Sequence, residues 1–125
     1  MENHKVEIRA DPVKNRLTLI LAGFFHDTEA VDAADRCIAG ISKLKTGFDI
    51  IADISNFKPA TPVGAEEIKR VQLYSIQHGV KRTVRIVGQA FLAQSQFNRQ
   101  VNDSKVAMHT AGSIKEAEHI LDSAG

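Results

Sequence analysis

Polar side chains that could carry chemistry gather where an apolar run meets the start of a helix, in the stretch DIIADISNFKPATPVGAEEIKR at residues 49–70. Asp53 and Ser55 close the apolar run, and Thr61 stands at the head of the helical pattern. The first N–H groups of a helix lack intrahelical partners, so they can hold an anion or a phosphorylated side chain. The stretch therefore suggests two kinds of functional site: a binding crevice with a carboxylate, and a helix start that holds a phosphate.

Asp53 is the carboxylate to consider first, because open α/β sheets bind ligands beyond the carboxyl ends of their strands. A structural role is favoured for it, since an Asp at such a position commonly accepts hydrogen bonds from nearby loop N–H groups. Glu66 and Glu67 lie near the start of the following helix, where they complement its positive end and would repel an incoming anion. We therefore expect no catalytic residue here, and an enzyme is the least favoured class of function.

Elsewhere the sequence lacks the spacings that metal, cofactor or nucleophile sites require. No histidine has metal-ligand spacing with another histidine or with Cys37, and Cys37 lies in the apolar stripe of a helix, where a buried thiol is expected. The glycine loops that hold nucleotide phosphates and the G-x-S-x-G elbow are both missing. The sequence thus predicts no metal, no cofactor and no catalytic residue. The histidines are His4, His26, His78, His109 and His119.

Composition indicates one compact domain and excludes several classes of partner. The chain has 125 residues, of which 43% are hydrophobic and 25% charged, and its formal net charge is +1. A basic cluster at Lys81, Arg82 and Arg85 is too small to attract nucleic acid, so no nucleic-acid partner is expected. No apolar run approaches the roughly 20 residues of a membrane span, and the N-terminus lacks the apolar core of a secretory signal. With a single cysteine, these features predict a cytoplasmic protein.

The elements that would position these residues follow from hydrophobic spacing. Apolar, β-branched runs predict strands, and apolar residues recurring every three or four positions predict helices. The predicted strands are residues 5–11, 16–24, 48–54, 82–88 and 105–109. The predicted helices are residues 28–46, 62–78, 89–103 and 114–124. The order β-β-α-β-α-β-α-β-α over residues 1–125 describes a single α/β domain with an antiparallel hairpin followed by right-handed parallel crossovers.

Residues at the helix ends support these assignments. Asp27 or Thr28 is the predicted N-cap of the first helix, and Gly47 its end. Its predicted apolar stripe consists of Val31, Ala34, Ile38, Ile41 and Leu44. Thr61 is the predicted N-cap of the second helix, with a proline at the first helical position and a glycine after His78. The last helix opens with a capping box from Ser113 to Glu116.

This order, together with the junction, resembles the STAS domain family, the SpoIIAA-like anti-sigma factor antagonists and their relatives. Members have a strand ending in Asp-Leu-Ser, a link of five residues, and Asp-Ser-Ser-Gly at a helix start. Here DIS stands at 53–55 and TPVG at 61–64, so that Gly64 falls on the family's glycine without a gap. GSIKEAEHIL at 112–121 is similar to the family's closing passage into its last helix. The resemblance implies a mixed sheet of about five strands with about four helices.

The residues at the family's regulatory site depart from its pattern. In phospho-regulated members the second serine of Asp-Ser-Ser-Gly is phosphorylated by an anti-sigma factor kinase, and this position is Val63, which has no hydroxyl. Thr61 lies two positions earlier and is explained as a helix cap. The resemblance therefore implies a non-catalytic regulatory or protein-interaction domain without the usual phosphoacceptor, whose partner is an anti-sigma-factor-like protein or another regulator. The interaction residues carried over from it are Asp53, Ser55, Thr61, Val63 and Gly64.

A second SpoIIAA-like lineage, which is compared with lipid-binding CRAL-TRIO domains, supplies an alternative. In that group the space between the sheet and a movable helix holds a hydrophobic ligand or meets a membrane. Phe91, Leu92 and Phe97 give the predicted third helix a broad apolar surface that could cover such a pocket, although a helix with such a surface is more often buried between neighbouring elements than a gate over a ligand. The alternative function is therefore a binder of a hydrophobic small molecule or lipid. The oligomeric state is left open, a homodimer included.

Overall fold

The computed structural model describes residues 4–87 and 107–123. Its strands are β1 (His4–Asp11), β2 (Arg16–Gly23), β3 (Asp49–Phe57), β4 (Arg82–Ile86) and β5 (Ala107–Ala111). Its helices are α1 (Asp27–Ser42), α2 (Pro62–His78) and α3 (Ile114–Ser123). The helix predicted for residues 89–103 lies outside the described residues. The described residues contain three helices, where the whole chain was predicted to have about four, and their order is β-β-α-β-α-β-β-α.

All five strands form one mixed sheet, in the order β1-β2-β3-β4-β5. The β1–β2 pair is antiparallel, and the three pairs that follow are parallel. The predicted N-terminal hairpin and the α/β class are therefore confirmed. The hairpin turns through Asn15, whose φ of 55° is one that asparagine adopts more readily than most residues. Asp11 supports the turn, because its Oδ1 accepts the N–H groups of Val13 at 3.0 Å and Lys14 at 3.2 Å.

Helices cover both faces of the sheet. α1 and α2 pack side by side on one face, over a core built mainly from β2 and β3. α3 packs on the other face, against β3, β4 and β5. Alternate residues of β3 divide between these two cores, since successive side chains in a strand point to opposite faces. Ile50, Ala52 and Ile54 face α1 and α2, whereas Ile51 belongs to the core under α3.

The first helix differs from its prediction at both ends and along its apolar stripe. It begins at Asp27 with His26 as N-cap, because the Glu29 carboxylate accepts the His26 N–H at 2.9 Å. It ends at Ser42, and Gly47 instead forms a turn before β3, with φ of 90°. Val31 is exposed rather than part of the buried stripe. The residues of α1 that are buried are Ala30, Ala33, Ala34, Cys37, Gly40 and Ile41.

The caps of the other two helices agree closely with the sequence. Thr61 is the N-cap of α2, and Gly79 ends the helix in the left-handed conformation with φ of 96°. At α3 the Ser113 Oγ accepts the Glu116 N–H at 3.1 Å. The Glu116 carboxylate returns a bond to the N–H of Gly112, one residue before the position expected for a capping box.

Candidate functional site

Strand β3 contains a bulge at the junction, which the sequence did not predict. Ile20 of β2 pairs with Asp53, but Ala22 pairs with Asn56, so β3 holds one residue more than β2 over this interval. The extra residue brings Phe57 onto the same face as Ile54. β3 consequently runs on to Phe57 instead of ending at residue 54, and Asp53 lies within the strand rather than at its carboxyl end.

Asp53 and Ser55 stabilise this bulge together. The Asp53 Oδ1 accepts the backbone N–H of Ser55 at 3.1 Å and its hydroxyl at 2.7 Å. Both side chains are partly buried. The Asp53 carboxylate thus accepts hydrogen bonds from the bulged residues beside it, which is the structural role that its sequence position favoured.

Thr61 connects the first turns of α1 and α2 through its hydroxyl. The Thr61 Oγ1 accepts the Gly64 N–H at 3.0 Å, which caps α2, and donates to the Asp27 Oδ1 at 2.8 Å. Asp27 is the first residue of α1, where a carboxylate also interacts favourably with the positive end of that helix. One hydroxyl therefore caps one helix and holds the start of the other beside it.

Gly64 matches the family's glycine, and the surrounding atoms explain why a small residue is needed. A Cβ at this position would lie 3.1 Å from the Ala60 Cβ, 3.3 Å from the Thr61 Oγ1 and 3.7 Å from the Ala30 Cβ. The absence of a side chain lets the first turn of α2 fold closely over the link that precedes it and beside α1. Gly64 thus has a packing role at the junction.

Val63 is exposed on an open groove between the first turns of α1 and α2. Val31 lies across this groove, and 39% of each valine is accessible. The groove has a volume of about 370 Å³. Its lining residues are Asp27, Thr28, Val31, Asp32, Asp35 and Val63. We call this surface the α1–α2 groove; it combines two apolar side chains with three carboxylates in a protein whose net charge is only +1.

An ion-pair network joins the two helices beside the groove. The Arg70 guanidinium contacts the Asp35 carboxylate of α1 at 2.7 Å and the Glu67 carboxylate of its own helix at 2.6 Å. Hydrogen bonds to Asp35 and then to Glu67 raise the pKa of Arg70. Glu67 is therefore paired with a cation, and is not a free charge at the helix start.

The α1 side of this groove does not follow from the sequence interpretation. The predicted apolar stripe includes Val31, and nothing in the sequence pattern singles out Asp32 and Asp35. The spacing of the small residues Ala30, Ala33 and Ala34 could have identified the buried face of the helix, because all three lie on it. Val31 lies to one side of this face. An alanine-rich stripe is weaker in hydrophobicity than a stripe of larger residues, which explains the misassignment.

A small apolar cavity lies on the opposite side of these helices, between them and the sheet. Its volume is about 70 Å³. The lining residues include Leu19, Phe25, Cys37, Phe57, Ile68 and Val71. Burial raises the pKa of the Cys37 thiol to about 12, so the thiol is protonated at neutral pH and unsuited to act as a nucleophile.

The remaining predicted residues are either engaged in the fold or outside the described part. Arg82 of the basic cluster makes two hydrogen bonds to Asp49, at 2.8 and 2.9 Å. Arg85 is buried, and desolvation lowers its pKa to about 10. The proposed lid residues lie outside the described residues, as does any pocket under residues 89–102. These lid residues are Phe91, Leu92 and Phe97.

Neither a group of metal-ligating side chains nor a helix able to cross a membrane is present within residues 4–87 and 107–123. No group of three or more His, Cys, Asp or Glu side chains in these ranges is arranged to hold a metal ion. None of the helices described there combines the length and apolar character needed to cross a membrane.

Comparison with known proteins identifies the fold. A crystal structure of an uncharacterized protein of the DUF3478 family from Shewanella loihica PV-4, described as having a SpoIIAA-like fold, matches the chain with a TM-score of 0.66. The match covers 97% of this chain and 95% of the other at 13% sequence identity, so it establishes the fold and not an activity. No family model and no curated protein matches the chain. The SpoIIAA-like fold implied by the junction is therefore confirmed.

Proposed function

We propose that this SpoIIAA-like domain is a non-catalytic interaction module that binds a regulatory protein through the α1–α2 groove and the adjoining link at residues 55–64. The exposure of Val63 beside Val31 is the observation that carries the proposal. Two apolar side chains framed by carboxylates offer a small hydrophobic contact with a polar rim, which is the usual arrangement of a protein-binding surface. The SpoIIAA-like fold supports the choice of this surface, since the family's regulatory helix start lies there.

Binding at this surface does not depend on phosphorylation in our proposal. Val63 has no hydroxyl, and the Thr61 hydroxyl is used as both donor and acceptor. A phosphate on Thr61 would place negative charge beside Asp27 and remove the Thr61 proton that Asp27 accepts. Incubation with ATP and anti-sigma factor kinases, followed by phosphate mapping by mass spectrometry, tests this point. Stoichiometric phosphate on Thr61 would overturn it.

Charge substitutions in the groove test the surface itself. Val63→Asp and Val31→Asp each place a carboxylate in the apolar centre of the groove, and Val13→Asp is the matched control because Val13 is 95% exposed in the β1–β2 turn. Each protein is immobilised and exposed to an extract of the source cells, and the retained proteins are quantified by mass spectrometry. We expect a partner that is retained by the wild type and Val13→Asp but lost with both groove variants. Equal retention by all four proteins would rule this surface out.

The apolar cavity favours a second candidate, binding of a hydrophobic small molecule or lipid. At about 70 Å³ it is much smaller than the roughly 300–1,000 Å³ of common ligand pockets, so an acyl chain would require α1 and α2 to separate. Native mass spectrometry of freshly purified protein distinguishes the candidates. A co-purified acyl ligand would favour this second function, whereas ligand-free protein favours the first.

A further inference from the structure

Strand β1 forms one edge of the sheet and has β2 as its only strand partner among the described residues. It is eight residues long, and an edge of this length presents unpaired N–H and C=O groups that can add another strand. Native sheets usually protect such edges with charged side chains, and β1 carries four of them on one face. These exposed residues are Lys5, Glu7, Arg9 and Asp11.

The charges on β1 alternate in sign along that face. Lys5 Nζ lies 3.4 Å from Glu7 Oε1 within the strand, while Arg9 has no ion-pair partner in the described part of the chain. Asp11 accepts two turn N–H groups at Oδ1 and retains Oδ2 for a further contact. A row of alternating charges repels most incoming strands but is complementary to a strand that carries the reversed order.

We infer that the second strand is β1 of another copy of this protein, paired antiparallel about a two-fold axis at Ile8. In this register Glu7 lies opposite Arg9 of the second copy, and Lys5 lies opposite its Asp11. By symmetry each of these pairs occurs twice, so every charged residue on the exposed face of β1 faces an opposite charge. Opposite charges directly across two antiparallel strands are stabilising.

The other face of β1 fits the same register. Val6, Ile8 and Ala10 are partly buried against the core beneath α1. Pairing about Ile8 places Val6 opposite Ala10 of the second copy and Ile8 opposite its own counterpart. The half-exposed apolar edge of one core thus continues into the edge of the other, and the five described strands of each copy join in one sheet.

Neighbouring registers are unfavourable or short. An axis at Glu7 would bring Glu7 against itself and Lys5 against Arg9, and an axis at Arg9 would bring Arg9 against itself, all as like-charge pairs. An axis at Val6 leaves Arg9 and Asp11 without opposite charges in the described strand. The charge order therefore selects the axis at Ile8.

Charge reversal tests this register. Arg9→Glu creates two Glu–Glu pairs across the dimer interface, because the new glutamate of each copy faces Glu7 of the other. Glu7→Arg likewise creates two Arg–Arg pairs with Arg9. Since two pairs become repulsive in each case, we expect the dimer dissociation constant of each variant to rise by about tenfold or more. Sedimentation velocity across a concentration series measures this constant. Glu118→Arg, an exposed change on α3 with the same charge difference as Glu7→Arg, is the control and should dimerise like the wild type.

Two restored pairings make the test specific. The double variant Glu7→Arg/Arg9→Glu should recover the homodimer, because opposite charges again face each other. An equimolar mixture of the two single variants should form a heterodimer, since both cross-strand pairs become opposite in sign. A monomeric wild type at all concentrations, or single variants that dimerise like the wild type, would overturn the inference. None of these substitutions alters the α1–α2 groove, so the outcome is independent of the proposed function.

Discussion

At the scale of single residues, the junction is organised by polar side chains that satisfy nearby backbone groups. Asp53 secures the bulge of β3 through Ser55, and Thr61 caps α2 while it donates to Asp27. These contacts account for three polar positions without assigning any of them a reaction. Among the five interaction residues carried over from the family resemblance, Val63 is the exposed one, which is why it carries the functional proposal.

Removing the Thr61 hydroxyl should measurably weaken the fold. Thr61→Val loses the bond from the Gly64 N–H and leaves Asp27 without that donor, so we expect the free energy of unfolding to fall by about 1–2 kcal/mol. Urea denaturation followed by circular dichroism measures the change. Thr61→Ser retains the hydroxyl and should lose less than half as much. Equal stability of Thr61→Val and the wild type would show that the cap contributes little.

At the scale of secondary-structure elements, α3 depends on tertiary contacts to stay helical. It has ten residues, and helices shorter than about 12 residues are marginal by themselves. Ala117 and Leu121 bury its apolar side, and Asp122 in its last turn accepts a hydrogen bond from Arg16 at 2.9 Å. Arg16 is only 6% exposed, and its β3 and β4 neighbours in the sheet are the paired Asp49 and Arg82. α3 is thus attached to a row of charges that crosses the strands.

The Asp122 contact should make stability depend on pH in the acid range. Its hydrogen bond to Arg16 lowers the pKa of Asp122 below the ordinary value of 3.8. A carboxyl with a lowered folded-state pKa stabilises the protein above the unfolded-state pKa, and this contribution is lost as pH falls through the folded-state value. The melting temperature of Asp122→Asn should therefore lie below that of the wild type at pH 7, and the two should converge below pH 3.8. Glu118→Gln on the same helix is the control, and a constant gap across this range would contradict the assignment.

The elements also show which features a single sequence reveals. Strands and helices within residues 4–87 followed from local hydrophobic spacing, and Thr61, Pro62 and Gly79 marked the ends of α2 because caps and turns act through neighbouring atoms. The β3 bulge depends on the register with β2, which no local pattern encodes. The Arg16–Asp122 contact joins residues 106 positions apart and is likewise invisible in local spacing. The family resemblance identified Val63 as a candidate interaction residue. The exposure of Val31 beside it could be recognised only from the three-dimensional structure.

At the scale of the whole molecule, α1 and α2 act as one layer with two distinct surfaces. The outward surface contains the groove with Val31 and Val63, and the inward surface lines the apolar cavity. Thr61–Asp27 and Arg70–Asp35 join the two helices at different heights. The protein-binding proposal needs this layer to stay closed, while the lipid-binding alternative needs it to open. The motion of this layer therefore separates the two functions.

Cys37 reports on that motion, because its thiol lines the cavity and has a pKa raised to about 12 by burial. At pH 8 the thiol should react with Ellman's reagent only when α1 and α2 separate, since separation both exposes it and returns its pKa towards the ordinary value of 9.0. A closed interaction module predicts slow labelling whose rate rises with urea in parallel with global unfolding. Cys37→Ala/Ala39→Cys moves the thiol to an exposed position of the same helix, and this control should label rapidly in the native state. If native Cys37 labels much faster than global unfolding allows, the layer opens locally and the cavity becomes accessible to a ligand. In that case the lipid-binding alternative would take precedence over the protein-binding proposal.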